Sequence, residues 1–339
     1  MQDQWYYSSD MSRSSFDIVT IGDCMLDVFV MIHEASVSCR VDRTHCLLSL
    51  PYGEKVPVED VIKIPGAGNA SNAAVGFARL GCKTAIVSTV GHDEAGQMIL
   101  ARWREEGVAT HLVTRDKKRD TNYSTVLSFR GERTILVYHQ PYIYRLPILP
   151  ETTWIYYSSL GKGHELFEQT ILRHLARHPK TRLTFNPGTH QLRRGIKALR
   201  PIIARSEVFI VNKEEAEFLL ACEPTNISTL LRKLFVYGMQ ILVITDGKQG
   251  ASAMSRDGAW HCPSFPGKEV ERTGAGDSFA TAFSFAQLHG NTVQEALRYG
   301  TAQAWSVIQY IGPQAGLMHQ TKIERILKQF AHMHATSIL

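Results

Sequence analysis

The chain has 339 residues, of which 44% are hydrophobic and 20% are charged, the composition of an ordinary globular protein. This length suits one large α/β domain or two smaller ones, each able to bury a core. The formal net charge of +5 is mild and not concentrated in one block. It permits an anionic small-molecule substrate and gives no reason to expect nucleic-acid binding.

The first 15 residues are polar and lack the basic start and apolar run of a signal peptide, so we interpret them as a loose tail. No stretch approaches the ~20 apolar residues of a membrane helix, and we expect no membrane contact and a cytoplasmic location. The six cysteines are scattered, which favours reduced thiols over a disulfide scaffold. Cys39 and Cys46 lie close together, but no CxxC pair completes a zinc set.

From residue 16 onward, short runs rich in β-branched and aromatic residues alternate with helical patterns. The runs that predict strands are 16–23, 84–91, 153–161, 182–188, 207–212 and 241–247. The patterns that predict helices are 94–106, 165–177, 214–220 and 228–237. The alternation predicts an α/β fold, a doubly wound and mostly parallel sheet covered by helices on both faces, in a single domain over 16–339.

Two segments, about 28–62 and 115–145, interrupt this alternation with hairpins of period-2 pattern, and the second has a turn signal at 130–132. We expect these hairpins to form a small β lid over the carboxyl ends of the parallel strands, where open α/β sheets bind ligands. Hydrophobic lid strands would also fit edge-to-edge pairing, so a homodimer through the lid is one possible assembly.

The segment GAGD at 274–277 precedes an apolar helical pattern. A helix that begins at about Asp277 would direct the free N–H groups of its first turn, with those of Gly274, Ala275 and Gly276, at a bound anion. Asp277 would then act as a general base for an attacking hydroxyl while the amides bind the migrating phosphoryl group. The alternative is an N-cap aspartate after a tight turn.

A second small-residue segment, PGAGNASNAAVGFARLG at 65–81, leads into another predicted helix. Gly66 and Gly68 form a GxG, but Ser71 replaces the third glycine of a dinucleotide fingerprint. No GxxxxGK[ST] occurs, which excludes a standard P-loop. Asn72 at the helix start can bind substrate hydroxyls, and a capped, tightly packed helix is the alternative.

Three further patterns each have a structural and a functional interpretation. Asp27 can accept hydrogen bonds from a diol or be a solvated loop residue. Asn212 and Glu215 can hold the waters of Mg²⁺ on the first turn of a helix or form a capping box. The segment 245–251 is a hairpin turn that can line a nucleotide site.

The two glycine-rich segments resemble the two signatures of the ribokinase-like, or PfkB, family of carbohydrate and nucleoside kinases, and the resemblance extends over about 16–327. It implies a three-layer sandwich and a kinase that uses ATP and Mg²⁺ to phosphorylate a hydroxyl of a sugar, sugar phosphate or nucleoside. A non-catalytic nucleotide or sugar sensor on the same fold is one alternative. A Rossmann-type dehydrogenase using Gly66 and Gly68 is another.

The resemblance also implies roles for individual residues. Asp277 matches the catalytic base, Gly274, Ala275 and Gly276 match the anion hole, and Asp27, Gly68 and Asn72 match acceptor-binding positions. Asn212 and Glu215 match an element that supports Mg²⁺ through water, and the nucleotide side is matched by Asn186, Thr245, Gly247, Gly250 and Gln303.

Departures from the family pattern leave specific features open. Ala67 replaces a glycine beside Gly68, and Gln303 stands where an asparagine is common. The residues 271–273 replace the usual Asp-Thr before GAGD, which leaves a monovalent-cation site in question. In the lid, Arg133 is a candidate acceptor-binding residue for a phosphorylated substrate, and the alternative is a solvated arginine at the hairpin turn.

Overall fold

The computed structural model describes residues 15–39, 46–130 and 132–338. The strands in these ranges are β1 (Phe16–Ile21), β2 (Met25–Ile32), β3 (Ser36–Cys39), β4 (Cys46–Ser49), β5 (Val58–Ala67), β6 (Thr84–Val87), β7 (Thr89–Gly91), β8 (Thr114–Asp116), β9 (Tyr123–Phe129), β10 (Glu132–Tyr138), β11 (Thr152–Tyr157), β12 (Arg182–Phe185), β13 (Val208–Asn212), β14 (Ile241–Thr245), β15 (Ala251–Ser255), β16 (Gly258–Cys262) and β17 (Thr336–Ser337). The helices are α1 (Asn69–Arg79), α2 (Glu94–Glu105), α3 (Glu165–Arg177), α4 (Thr189–Leu192), α5 (Gly195–Arg205), α6 (Lys213–Leu220), α7 (Ile227–Phe235), α8 (Ala275–Leu288), α9 (Val293–Val307) and α10 (Gln320–Gln329).

The main sheet, within the described ranges, has nine strands in the order β17-β16-β15-β14-β13-β12-β11-β1-β6. The strands from β14 to β6 run parallel, and β15, β16 and β17 add an antiparallel edge. The predicted mostly parallel α/β sheet is therefore confirmed, with every predicted strand present. The run 84–91 forms two strands, since Ser88 separates β6 from β7.

Helices cover both faces of this sheet because successive strand residues point to opposite sides. Val19 and Ile21 of β1 pack in one core with α3, α5, α6 and α7. Ile18 of the same strand packs in a second core with α1, α8, α9 and α10. The four predicted helices are present as α2, α3, α6 and α7, and the two helices expected after the glycine-rich segments are α1 and α8. Within the described ranges the structure adds α4, α5, α9 and α10.

The predicted lid is a separate sheet with the order β10-β9-β2-β5. It is mixed, because β2 pairs antiparallel with β5 and parallel with β9. Strands β2 and β5 lie in the chain between β1 and α1, and β9 and β10 lie between β8 and β11. Since β2 directly follows β1, the lid lies at the carboxyl end of β1.

The described part of the first lid segment also contains a small hairpin of β3 and β4. Here Cys39 and Cys46 form a disulfide, so the expectation that all six cysteines are reduced thiols is wrong for this pair. Cys24, Cys82, Cys222 and Cys262 are free thiols. Antiparallel pairing sets Cys39 directly opposite Cys46, a contact that their separation of seven residues does not specify.

Among the residues described, no helix is long and apolar enough to cross a membrane. The predicted polar tail falls almost entirely on residues 1–14, outside the described ranges, and so does Gly131 of the predicted lid turn.

Candidate active site

The start of α8 carries the GAGD segment. Gly274 is the N-cap with φ 78°, a left-handed conformation, and a Cβ there would lie 2.4 Å from the Cβ of Pro313. Glycine is therefore required at 274. A Cβ at Gly276 would meet nothing within 4 Å, because this position faces open space. The helix begins at Ala275, two residues before the predicted start, and the N–H groups of its first turn lack helical partners.

Asp277 lies in the first turn of α8 and is held by amides from α1. The Nδ2 of Asn72 donates to its Oδ2 at 2.8 Å, and the Asn69 side chain also hydrogen-bonds to it. Burial raises the pKa of Asp277 to about 6, while these two hydrogen bonds act in the opposite direction. The carboxylate is consequently ionised at neutral pH and is a suitable proton acceptor.

Asn72 is itself fixed by Gln314, a buried residue in the loop after α9. The Nε2 of Gln314 donates to Asn72 Oδ1 at 3.1 Å and to the Gly66 carbonyl at 2.6 Å. The backbone carbonyl oxygen of Gln314 accepts a hydrogen bond from Arg79 NH1 at 2.7 Å. This chain of hydrogen bonds determines the orientation of the Asn72 amide, so that its NH₂ points at Asp277.

A cavity of about 220 Å³ lies in front of Asp277. Several predicted site residues from four different elements line it together, namely Asn186, Asn212, Glu215, Thr245, Gly274 and Gly276. Asn69, which the sequence analysis did not single out, also lines this cavity. It lies three residues before Asn72 on the same helical face, a spacing that could have identified it.

Asn212 and Glu215 form the capping box that was the structural alternative. Glu215 N donates to Asn212 Oδ1 at 2.8 Å, and Asn212 N donates to Glu215 Oε2 at 2.9 Å. Burial raises the pKa of Glu215 to about 7, the Asn212 amide opposes this, and the charge of Asp277 adds to it. The two interpretations are compatible, because these residues cap α6 and line the cavity at once.

The donors around this cavity fit a hydrated divalent cation. In the described part of the chain, no group of three or more His, Cys, Asp or Glu side chains could bind a metal ion directly. The carboxylates of Asp277 and Glu215 nevertheless line one cavity. Repulsion from the Asp277 charge adds to the effect of burial in raising the pKa of Glu215. A Mg²⁺ ion that keeps most of its water shell would relieve this repulsion through few protein ligands.

Asn186 lies beside the cavity with its side chain held on both ends. It accepts from the Tyr156 hydroxyl at 3.1 Å and donates to the Ile210 carbonyl at 3.0 Å. Its amide is thus oriented by two neighbouring strands before any ligand binds.

A larger cavity of about 530 Å³ adjoins the first, and both are lined by Thr245 and Gly276. Gly247 and Gly250 line it as well, as predicted for a nucleotide site. Gly250 has φ 97°, and a Cβ there would lie 2.1 Å from the Cys262 carbonyl oxygen, so glycine is required. Ala275 borders this cavity too, which places the start of α8 between the two cavities.

Trp305 forms an aromatic wall of the larger cavity and was not predicted. Its indole N–H donates to the Pro266 carbonyl at 2.7 Å, and the neighbouring Gly267 packs against the ring so closely that a Cβ would lie 2.4 Å from it. A fixed aromatic face in a largely apolar cavity suits the base of a nucleotide.

Gln303 does not lie at this cavity, which corrects its predicted placement. The face of α9 that lines the cavity consists of Thr301, Ala304, Trp305 and Ile308, at helical spacing. Gln303 points away from this face, is fully buried, and accepts a hydrogen bond from Met318 N at 3.4 Å.

Asp27, a predicted acceptor-binding residue, lies in lid strand β2 and not in a loop. It is 8% exposed, and its Oδ1 accepts a hydrogen bond from Ser124 on the adjacent strand β9. Burial raises the pKa of Asp27 to about 6, Ser124 opposes this, and the charge of Glu271 adds to it. Gly68, the N-cap of α1, has φ 104°, and a Cβ there would be 2.9 Å from the Asp23 carbonyl oxygen, so the loop between β1 and β2 approaches the start of α1 closely.

Arg133 of β10 contacts another part of the chain. Its NH1 lies 2.7 Å from the Glu271 carboxylate, just before the GAGD segment. A substrate phosphate would therefore have to compete with the Glu271 carboxylate for the Arg133 guanidinium.

The family comparison decides the identity of the fold and activity. The pfkB family carbohydrate kinase model matches residues 17–320, which is nearly the whole chain. The chain belongs to the pfkB family of carbohydrate kinases. It is accordingly a phosphotransferase with an alcohol acceptor. The Rossmann-type alternative fails because Gly66 lies within the antiparallel lid strand β5 and Gly68 directly follows it, whereas that fingerprint follows a strand of a parallel sheet.

Individual relatives of this pfkB-family kinase agree with that assignment. It is 26% identical to 5-dehydro-2-deoxygluconokinase of Clostridium tetani, covering 80% of this chain and 86% of the relative. It is also 26% identical to ribokinase of Bacillus subtilis, covering 92% and 99%. A solved structure of a ribokinase II of Escherichia coli with ATP and Mg²⁺ superposes with a TM-score of 0.71 at 19% identity, covering 92% and 99% of the two chains, which shows the common fold.

Proposed function

We propose that this kinase transfers the γ-phosphoryl group of ATP to a hydroxyl of an unphosphorylated sugar or sugar acid. The observation that carries the proposal is Asp277, oriented by Asn72 at a helix start between a cavity of about 220 Å³ and one of about 530 Å³. The larger cavity suits the nucleotide base, and the smaller one suits the phosphates. ATP is an intracellular metabolite, which supports the predicted cytoplasmic location.

In the proposed reaction, the acceptor hydroxyl donates its proton to Asp277 as its oxygen forms a bond to the γ-phosphorus. The bond between that phosphorus and the bridging oxygen breaks, and its electron pair leaves with ADP. The amides at Gly274, Gly276 and Asp277 stabilise the charge on the transferring group. The predicted contribution of the Ala275 amide is not retained, because this N–H donates to the Arg272 carbonyl at 3.2 Å. Glu215 and Asn212 would hold Mg²⁺ through water, and this ion neutralises phosphate charge when it is bound.

Charge supports this choice of acceptor class. Asp27 is a buried carboxylate that can accept two hydrogen bonds from a diol and would repel a phosphate. Arg133, the candidate phosphate ligand, is already paired with Glu271. Two relatives carry the names of kinases for ribose and for a dehydro-deoxygluconate, both polyhydroxylated and unphosphorylated acceptors.

The test is ADP formation from ATP and Mg²⁺ against sugars, sugar acids, sugar phosphates and nucleosides, at equal concentrations. We expect turnover with the first two groups. A higher kcat/KM with a sugar phosphate or a nucleoside would overturn the acceptor assignment. Replacing K⁺ by Na⁺ or Tris in the same assay tests for a monovalent cation, and ADP or GTP in place of ATP tests the donor.

We also propose that two copies associate through the lid. Apolar side chains of the lid are exposed, including Val61 on β5 and Leu136 and Val137 on β10. Leu136→Lys is expected to convert a dimer into a monomer in light scattering. Ile148→Lys, a change at a 96% exposed apolar residue outside the lid strands, is the matched control, and a wild-type monomer would contradict the proposal.

A further inference from the structure

Glu271 joins three segments that are distant in sequence. Its Oε1 accepts hydrogen bonds from Arg133 NH1 at 2.7 Å, from Thr273 N at 2.6 Å and from the Thr273 hydroxyl. Its Oε2 accepts from Gly312 N at 3.2 Å. The carboxylate is 13% exposed, so these contacts replace most of its hydration.

These contacts determine the shape of the turn that precedes α8. Thr273 immediately precedes Gly274, the N-cap of the helix. Gly312 immediately precedes Pro313, the residue against which Gly274 packs without room for a Cβ. Glu271 therefore accepts hydrogen bonds from both segments that flank Gly274, at Thr273 and at Gly312. The backbone N–H groups that follow this turn are the proposed anion-binding donors.

Arg133 is the lid's contribution to this arrangement. It lies on β10, the edge strand of the lid sheet, 138 residues away from Glu271 in sequence. Its guanidinium supplies positive charge to a carboxylate that also raises the pKa of Asp27 in the acceptor site. A displaced lid would leave Glu271 partly buried and without its cation, which is costly.

We propose that the Arg133–Glu271 ion pair is a latch through which the docked lid sets the geometry of the anion hole. Arg133 is a positioning residue that acts through Glu271, and phosphoryl transfer is fast only with the latch formed. This inference rests on the proposed kinase mechanism. The latch couples docking of the lid to the positioning of the backbone N–H groups at the start of α8. These groups therefore take their anion-binding positions only when the lid excludes water from the site.

The test is a double-mutant cycle with Arg133→Gln and Glu271→Gln. Gln at 271 keeps an oxygen for the Thr273 N–H but loses the charge that binds Arg133. Each single variant is expected to lower kcat about 10- to 100-fold, since small misplacement of reacting groups has effects of this size, with the KM for ATP changed less than threefold. The double variant is expected to lose no more than the worse single variant.

Arg133→Lys is expected to recover part of kcat, since it restores a cation with poorer geometry. Arg130→Gln is the matched control on the same hairpin and is expected to leave kcat unchanged, because Arg130 lies over the Phe129 ring of the lid itself.

Two kinetic outcomes would overturn the latch. Additive losses in the double variant would show that the two residues act separately. A rise in acceptor KM confined to Arg133→Gln, and absent from Glu271→Gln, would show that Arg133 binds the acceptor directly.

Hydrogen exchange without substrate separates failure of the latch from failure of the proposed function. Both variants are expected to exchange faster than wild type at 123–138 and at 271–277, whether or not the acceptor is correctly assigned. Faster exchange at only the segment that carries the substitution would overturn the latch. Absence of turnover in wild type, with coupled exchange intact, would instead overturn the proposed function.

Discussion

The start of α8 and the lid sheet face each other across the candidate active site and are built differently. Asp277 is oriented through Asn72 and Gln314, both buried side chains anchored in helices or in loops against them. The lid strand β10 is exposed along its whole length and pairs only with β9 in the described part of the lid. Deeper in the lid sheet, the buried carboxylate of Asp27 on β2 accepts a hydrogen bond from Ser124 on β9.

This difference separates two tasks. A base and an anion hole need positions fixed to within about half an ångström, which buried, hydrogen-bonded supports provide. A lid must open to admit the acceptor, and sparse packing keeps the free energy of local opening low. We therefore expect substitutions at α8 to change the chemical step and substitution of Asp27 in the lid to change acceptor binding. Arg133 is the exception within the lid, because it acts on the turn before α8 through Glu271.

The largest effect is expected for Asp277→Asn, the strongest test of the α8 side. Loss of the base should lower kcat by about 1,000-fold, within the range for general base catalysis, while ADP affinity stays within threefold of wild type. ADP formation and nucleotide titration measure the two quantities. Asp257→Asn, at an exposed turn, is the control, and a loss below tenfold would contradict the role as base.

Asp27→Asn tests the lid side. Removing the charge from a buried hydrogen-bond acceptor of substrate hydroxyls should lower kcat/KM for the acceptor about 10- to 100-fold, mainly through KM. The KM for ATP should not change. Asp60→Asn, at an exposed position on the neighbouring strand β5, is the matched control. If kcat fell as much as KM rose, the division between the two regions would be wrong.

Trp305→Ala tests the nucleotide end of the α8 side. Loss of a stacking face is expected to weaken ADP binding about tenfold, and Trp305→Phe should restore most of it. Calorimetric titration measures the affinity, and the fluorescence of Trp305 should change on nucleotide binding. Trp260→Phe, on β16, is the control. An unchanged affinity in Trp305→Ala would place the base elsewhere.

The smallest effect concerns pH. Because the pKa of Asp277 is about 6, kcat should rise as the pH increases through 6 and the base loses its proton. The folded state binds this proton more tightly than the unfolded chain, whose pKa is 3.8, so the charge destabilises the fold as pH rises from 4 to above 6.

Asp277→Asn should accordingly raise the free energy of unfolding at pH 8 by about 1–2 kcal/mol, with a smaller gain at pH 4. Thermal unfolding at both pH values measures the difference between variant and wild type. An equal shift at both pH values would mean that the charge is not responsible.

Local sequence patterns predicted much of the site. Turn glycines and helix starts depend on neighbouring residues, so the positions of Gly274, Gly276 and Asp277 followed from a short segment. The spacing of Asn212 and Glu215 predicted the capping box in the same way, and the fold class followed from the alternation of strands and helices.

Residues that depend on distant partners were not predicted. Gln314 and Trp305 lie in segments without a recognised pattern, and their roles come from contacts with Asn72 and Pro266. The helical spacing of Thr301, Ala304, Trp305 and Ile308 defines one face of α9, but the sequence does not say whether that face borders the cavity or the core. Gln303 was misplaced for that reason.

The amino-acid sequence alone was enough to predict the family, the order of strands and helices, and the glycine turn before Asp277, because each depends on residues adjacent in the chain. Packing of distant segments decided which amide orients Asp277, that Cys39 lies opposite Cys46, and that Arg133 meets Glu271. These contacts join residues up to 205 positions apart, so their partners are set by the tertiary packing of the elements that carry them.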